Sequence, residues 1–180
     1  PTDFKGLKFR AMDAAQLALF EAFGATGKQI SWPEVYKALK EGKVDGQMNP
    51  TTYVISGKLY EVQDFMTLAN IQYSCQWLVI NGDWFDSLDD SVQYVIRKAA
   101  RAASIINQIE VESHVADRIE FLKEKGIKVY QPDPQELKEF QKIGQPAYLF
   151  WIEDKIAEKW IDLALRSARI ANQKASPFLK

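Results

Sequence analysis

This 180-residue chain is short of the residues from which several kinds of site are built. It has one cysteine, Cys75, so no internal disulfide can form and the redox compartment stays open. It has one histidine, His114, and one His with one Cys argues against a zinc centre made of those ligands. It has no surplus of positive charge. The 23 Lys and Arg are offset by 24 Asp and Glu, for a net charge of −1. That balance disfavours nucleic acid as the main partner, because phosphate binding needs basic residues in excess. No apolar run is long enough to span a bilayer. No Ser/His/Asp or Cys/His arrangement and no Gly-rich phosphate loop stands out, and there is no low-complexity segment. The chain opens without an initiator Met or a signal peptide, so its start reads as the interior of a longer, processed or truncated protein.

What is present is a chain that is 47% hydrophobic and 26% charged. That is enough for one domain, or for one lobe and part of another. The first half alternates extended and helical patterns. "LKFRAM" at 7–12 is a short strand. "AAQLALFEAFG" follows, apolar nearly all round, as a buried helix stopped by Gly24. Asp13 and Gln16 resemble a capping box at its start. "KQIS" at 28–31 is a second strand, after which Ser31 and Glu34 form another box, with Pro33 in the first helical turn. "KVDGQMN" at 43–49 is a third extended piece. Asn49 then caps a helix that has Pro50 in its first turn. Three strand–helix steps in about fifty residues are the rhythm of an α/β sheet. Ligands of such sheets sit beyond the carboxyl ends of strands, where helices begin.

Further on, "FMTLANIQYSCQWLVIN" at 65–81 is aromatic and β-branched, and reads as two strands or one long crossing strand. Residues 91–126 are helical, with Val92, Val95, Ile96, Ala99, Ala103 and Ile106 on one face. "GIKVYQPDP" combines a helix stop, a short strand and a new cap, in which Asp133, Pro134 and Glu136 form a box. The stretch 135–172 is mostly helical, with a kink expected near Gly144 and Pro146.

Several residues have both a chemical and a purely structural explanation. Arg10, just before a helix start, is suited to gripping a carboxylate through two parallel hydrogen bonds. Pattern alone favours a surface arginine on an edge strand. Trp32 can wall an apolar ligand skeleton, although burial in the core is the commoner fate of a tryptophan. Asn49 and Asp13 can reach a ligand, and helix capping explains each equally well or better. Gln76, beside Trp77, interrupts an apolar strand and needs a partner in backbone or ligand. His114 and Glu110 are spaced i, i+4, which reads as a solvated helix face rather than a metal site.

The order "GLKFRAM … GA … SWPEVYKALKEGKVDGQMNP … KLYEVQDFMTL … YS … LVINGDWFDSL" resembles the solute-binding subunits of tripartite ATP-independent periplasmic (TRAP) transporters, of the dicarboxylate-binding type. The corresponding family stretches run K-[IL]-R-V, then E-V-Y-x-A-L-Q-x-G-x-V-D-G-Q-E-N-P, then K-F-Y-E-V-Q-K-[YF]-L-x-[LM]. These motifs are long and colinear, and the match covers residues 4 to about 126. The resemblance implies a two-lobed bacterial periplasmic receptor that captures an organic acid between lobes and delivers it to a membrane permease. It places Arg10 and Asn49 on the substrate carboxylate, Trp32 on the pocket wall, and Asp13 on the remainder of the ligand. Gln76 is a weaker carry-over. Met48 stands where the family has glutamate, and "RAMD" stands where "RVP" is commoner. An acidic Asp13 suits a hydroxyl or an amine on the ligand. The large segment that precedes the K-x-R strand in the family is absent here, so the chain is expected to be a truncation, or one part of a protein whose N-terminal portion is a separate chain.

The resulting expectation is an α/β lobe like those of periplasmic binding proteins, with a mixed sheet, long C-terminal helices and an incomplete second lobe. Residues 1–73 form the ligand-binding lobe, 74–90 return to the other lobe, and 91–180 are a helical region that spans or braces the lobes. The protein is expected to be periplasmic and non-catalytic, without a cofactor, and to work with a small organic acid and a TRAP permease. One alternative is an α/β enzyme acting on an organic acid, for which Asp13 and Glu34 are the nearby acid–base candidates. Another is a helical interaction module.

Overall fold

The extended pattern at 7–12 becomes β1, Lys8–Ala11, in the computed structural model, which describes residues 1–72 and 76–175. Asp13 ends the strand with an extended backbone and caps α1, Ala14–Ala22. That helix stops as its sequence suggests. Gly24 takes φ +89°, its N–H donates to the Glu21 carbonyl, and the Ala25 N–H donates to the Phe20 carbonyl. This is a Schellman ending, which needs the left-handed backbone that glycine adopts without strain. The chain is thereby turned straight into β2, Thr26–Gln29, two residues earlier than the pattern "KQIS" placed it. The reason is register. β2 pairs in parallel with β1 from Lys8↔Thr26 to Ala11↔Gln29, so its span is set by the partner strand.

A single 3₁₀ turn, Trp32–Glu34, leads into α2, Val35–Lys40. The short strand β3, Gly46–Gln47, follows and pairs in parallel with β1 through Phe9↔Gly46 and Arg10↔Gln47. The sheet order is β2-β1-β3, so β1 is the central strand.

The chain divides into two compact units, Pro1–Met48 with Asp133–Lys180, and Asn49–Pro132. The first unit holds this sheet together with α7, Pro134–Ile152, and α8, Glu158–Ala175. Its core is aromatic. Phe9 lies 4.8 Å from Phe4 and 4.9 Å from Phe20 between ring centroids, and Phe23 meets Phe140 of α7 edge-on at 5.4 Å. α7 begins with the box read from the sequence, since Asp133 accepts from the Gln135 and Glu136 N–H groups and Glu136 accepts from the Asp133 N–H. α7 runs on through both Gly144 and Pro146, and the interruption before α8 falls at 153–157.

The second unit begins with α3, Thr51–Ser56, and a 3₁₀ turn, Leu59–Glu61. Next come β4, Phe65–Thr67, α4, Gly82–Asp86, and α5, Asp90–Ser113. α6, Val115–Glu124, and β5, Lys128–Tyr130, complete it. β4 and β5 pair in parallel. Val54, Leu59, Leu122 and Ile127 are buried, and Tyr60 meets Phe121 edge-on at 5.7 Å.

One expectation is corrected here. Among the described residues the extended stretch at 65–81 joins a sheet only at Phe65–Thr67; residues 73–75, including Cys75, lie outside the described residues, and Trp77, Leu78 and Val79 are exposed and outside any strand. The stretch 91–126 is helical as expected and divides into two helices at His114, where φ is −99° and ψ 11°. The helical periodicity runs through the break, yet the two helices differ in what they bury. α5 buries no residue, whereas α6 buries Leu122 completely.

Candidate functional site

Arg10 sits near the carboxyl end of the central strand, and its side chain is 3% exposed. The surface position on an edge strand that pattern alone favoured is therefore corrected: strands on both sides of β1 enclose it. Its Nε–H donates to the Ile30 carbonyl at 2.9 Å. Among the described residues this is the only hydrogen bond that the Arg10 side chain makes, and none of their carboxylates forms an ion pair with it. No side-chain nitrogen among those residues is fully buried without a partner. The little exposure that Arg10 retains therefore includes its two terminal nitrogens. Burial pushes the guanidinium pKa down from its ordinary value, and the Asp13 carboxylate pushes it partly back up. Arginine ionises so far above neutrality that it stays charged. The result is a buried cation whose Nε is anchored and whose forked end reaches the surface. That end is suited to two parallel hydrogen bonds with a carboxylate.

Asp13 lies one turn of chain further on. Its Oδ1 accepts from the Gln16 N–H at 2.9 Å, and the Gln16 side chain accepts from the Met12 N–H, also at 2.9 Å. The pair works as the sequence suggested, except that the glutamine reaches back to the residue before the cap. Tyr148 of α7 had no signal in the sequence beyond helical periodicity. Its phenol pKa is raised, first by burial and then by the charge of Asp13.

Trp32 follows the end of β2 and is 38% exposed, so it is not the core residue that tryptophan usually becomes. The expected capping box before it is corrected. The Ser31 hydroxyl donates to the Glu34 carboxylate at 2.6 Å and makes no hydrogen bond to the helix backbone. Each side chain has met the other in place of the N–H groups, because the first turn is 3₁₀. Glu34, one acid–base candidate of the enzyme reading, is thus exposed and tied to Ser31. Arg10, Asp13 and Trp32 all lie in the first unit, where strands β1 and β2 give way to helical turns. In α/β sheets that is the place for ligands.

Asn49 and Gln76 belong to the second unit. Asn49 is half-buried and is not the cap of α3. Pro50 holds that position, with φ −66° and an extended ψ of 158°. Proline's fixed φ fits either the first helical residue or the one before it, and here ψ decides. Gln76 is exposed and donates to the Tyr53 hydroxyl at 3.4 Å, so its partner is a side chain and not a strand ladder. His114 contacts Glu110 and Asp117 at 3.2 Å each, all exposed, as on a solvated helix face. Among the described residues no cluster of His, Cys, Asp and Glu fits a metal ion, and no helix is long and apolar enough to cross a membrane.

Residues 1–154 match the family described as bacterial extracellular solute-binding protein, family 7. The sialic acid-binding periplasmic protein SiaP of Vibrio cholerae serotype O1 is 34% identical over 147 residues, covering 81% of this chain and 45% of that protein. The C4-dicarboxylate-binding periplasmic protein DctP of Rhodobacter capsulatus is 30% identical over 161 residues, covering 88% and 47%. Among solved structures, a TRAP periplasmic solute-binding protein from Ochrobactrum anthropi is similar with a TM-score of 0.83 at 29% identity, covering 98% of this chain and 56% of that one. The chain spans about half the length of the curated relatives it matches. With the colinear motifs and the parallel α/β sheet, the match over residues 1–154 shows that this chain belongs to the bacterial extracellular solute-binding proteins of family 7.

Proposed function

We propose that this chain is the carboxylate-gripping part of a periplasmic receptor, which captures a small organic acid and delivers it to a TRAP-type membrane permease without transforming it. The observation that carries the reading is Arg10, 3% exposed and with a single side-chain hydrogen bond, from Nε, among the described residues. A buried cation is costly unless something pairs with it, and the terminal nitrogens have the geometry for a carboxylate. Within the first unit, Trp32 walls the carbon skeleton and Asp13 meets the rest of the ligand. Asn49 and Gln76 are candidate ligand contacts of the second unit, each by itself. The names of the relatives support the ligand class, since they bind sialic acid and C4-dicarboxylates.

The test is calorimetry of the intact protein against a panel of carboxylic acids. Removing one partner of a buried, hydrogen-bonded charge pair costs about 2–5 kcal/mol, so Arg10→Ala should weaken the best acid by roughly 30-fold to several thousand-fold. Arg10→Lys keeps the charge and loses the planar fork. It should weaken binding by about tenfold or more. Unchanged affinity in both variants would refute the assignment.

A further inference from the structure

We propose that two copies of this chain associate through α5, each helix antiparallel to the other, along the seam Val92, Val95, Ala99, Ala102, Ile106 and Ile109. The proposal is independent of the carboxylate-binding reading.

The seam residues alternate three and four positions apart, which is the a/d pattern of a coiled coil. α5 spans Asp90–Ser113 and buries no residue. The two alanines are exposed, and the four larger seam residues are between 42% and 62% exposed. What α5 touches lies on its other side. Arg97 sits over the Phe85 ring of α4 at 4.6 Å, and Gln93 donates to the Leu88 carbonyl at 3.0 Å. At about 3.6 residues per turn, those two positions point roughly opposite to the seam. An apolar stripe along a surface helix normally faces a core, and a contiguous exposed one marks an interaction site.

The charge pattern selects the occupant. α5 holds Arg97, Lys98 and Arg101 in its first half, and Glu110 and Glu112 in its last turn. Acidic side chains at a helix C-terminus oppose the macrodipole, so a basic segment brought to that end relieves them. An antiparallel second copy supplies its own basic half there, and symmetry repeats the match at the opposite end. A parallel copy sets acid beside acid. An anionic membrane is repelled by the same glutamates. Register then follows from width. With Ala99 opposite Ile109 of the second copy, and Ala102 opposite its Ile106, every central layer holds one small and one large side chain. That offset sets Lys98 beside Glu112 of the second copy. Both occupy the g position, whose charges fix partner and orientation in coiled coils.

The experiment is sedimentation equilibrium of the intact chain, which should approach twice the 20.6 kDa of one chain as concentration rises. Ile106→Glu buries a charge in the seam from each copy and should raise the dissociation constant by more than about 100-fold. Its circular dichroism should match the wild type at concentrations where both are monomeric, because Ile106 is exposed in the single chain. Lys98→Glu and Glu112→Lys each set like charges together and should weaken the dimer by about tenfold or more. Mixing those two variants should restore association, since each then meets its opposite at both ends, and only the antiparallel register gives that recovery. A wild type that stays monomeric, its face left to another polypeptide, overturns the proposal. So does a dimer indifferent to Ile106→Glu, or a mixture that associates no better than its components.

Discussion

Gly46, the first residue of β3, faces Phe9 across the β1–β3 pair. A Cβ built on it would lie 2.5 Å from the Phe9 Cζ, 2.8 Å from Cε1 and 2.9 Å from Cε2. Carbon atoms pack comfortably at about 3.5–4.0 Å, so in Gly46→Ala the ring must retreat by about 1 Å. It has little room, because Phe4 stands 4.8 Å away on one contact and Phe20, with no exposure, 4.9 Å away on another. Overpacking of this kind costs about 1–3 kcal/mol. Alanine recovers about 0.5–1 kcal/mol of backbone entropy. With three ring atoms in conflict at once, the net loss should be about 2 kcal/mol, or roughly 4–8 °C in melting temperature for a chain of this size. Urea unfolding followed by tryptophan fluorescence and circular dichroism measures it. Phe9→Leu alone should cost of order 1–2 kcal/mol. Combined with Gly46→Ala it should cost little more, because the obstructing ring is gone. Equal stability of Gly46→Ala and wild type, or simple additivity in the double variant, refutes the steric account. Phe9 precedes Arg10 on the strand, so Gly46→Ala should also weaken acid binding.

Two further outcomes follow from the caps and the phenol. Asp133→Ala removes the side chain that accepts from the first turn of α7 and should cost about 0.5–2 kcal/mol in urea unfolding, whereas Asp133→Asn should cost much less. The ionisation of Tyr148, followed by phenolate absorbance, should occur above the ordinary tyrosine range, and Asp13→Asn should bring it back part of the way. Because the folded-state pKa is the higher one, unfolding releases a proton once pH passes the ordinary tyrosine value of about 10. The stability associated with the protonated phenol is present below that value and is lost as pH rises through the folded-state pKa. Asp13→Asn should lessen that alkaline loss.

The features legible in the sequence are those made by neighbours in the chain. The Asp13–Gln16 cap, the Gly24 ending of α1 and the Asp133–Glu136 box each close hydrogen bonds across a few residues, so a short stretch of text contains the whole interaction. The strand–helix alternation of the first fifty residues is legible for the same reason. The misreadings lie where two local solutions are nearly equivalent. Pro50 serves as cap or as first helical residue with the same φ. The stretch 77–80 has the composition of a strand without pairing as one.

Read as letters, then, this chain determined its helix ends, its order of elements and the motifs that mark its family. Only the tertiary structure decided that β1 is the central strand, which turns Arg10 from an ordinary surface charge into a buried one. Only the tertiary structure brought α7 onto α1, with Phe140 against Phe23 and Gly144 against Leu19. The physical reason is that a side chain's periodicity says which way it faces, whereas its partner is chosen by the path of chain segments remote in sequence. Phe23 and Phe140 meet because a returning helix packs on α1, and no local pattern in either segment names the other.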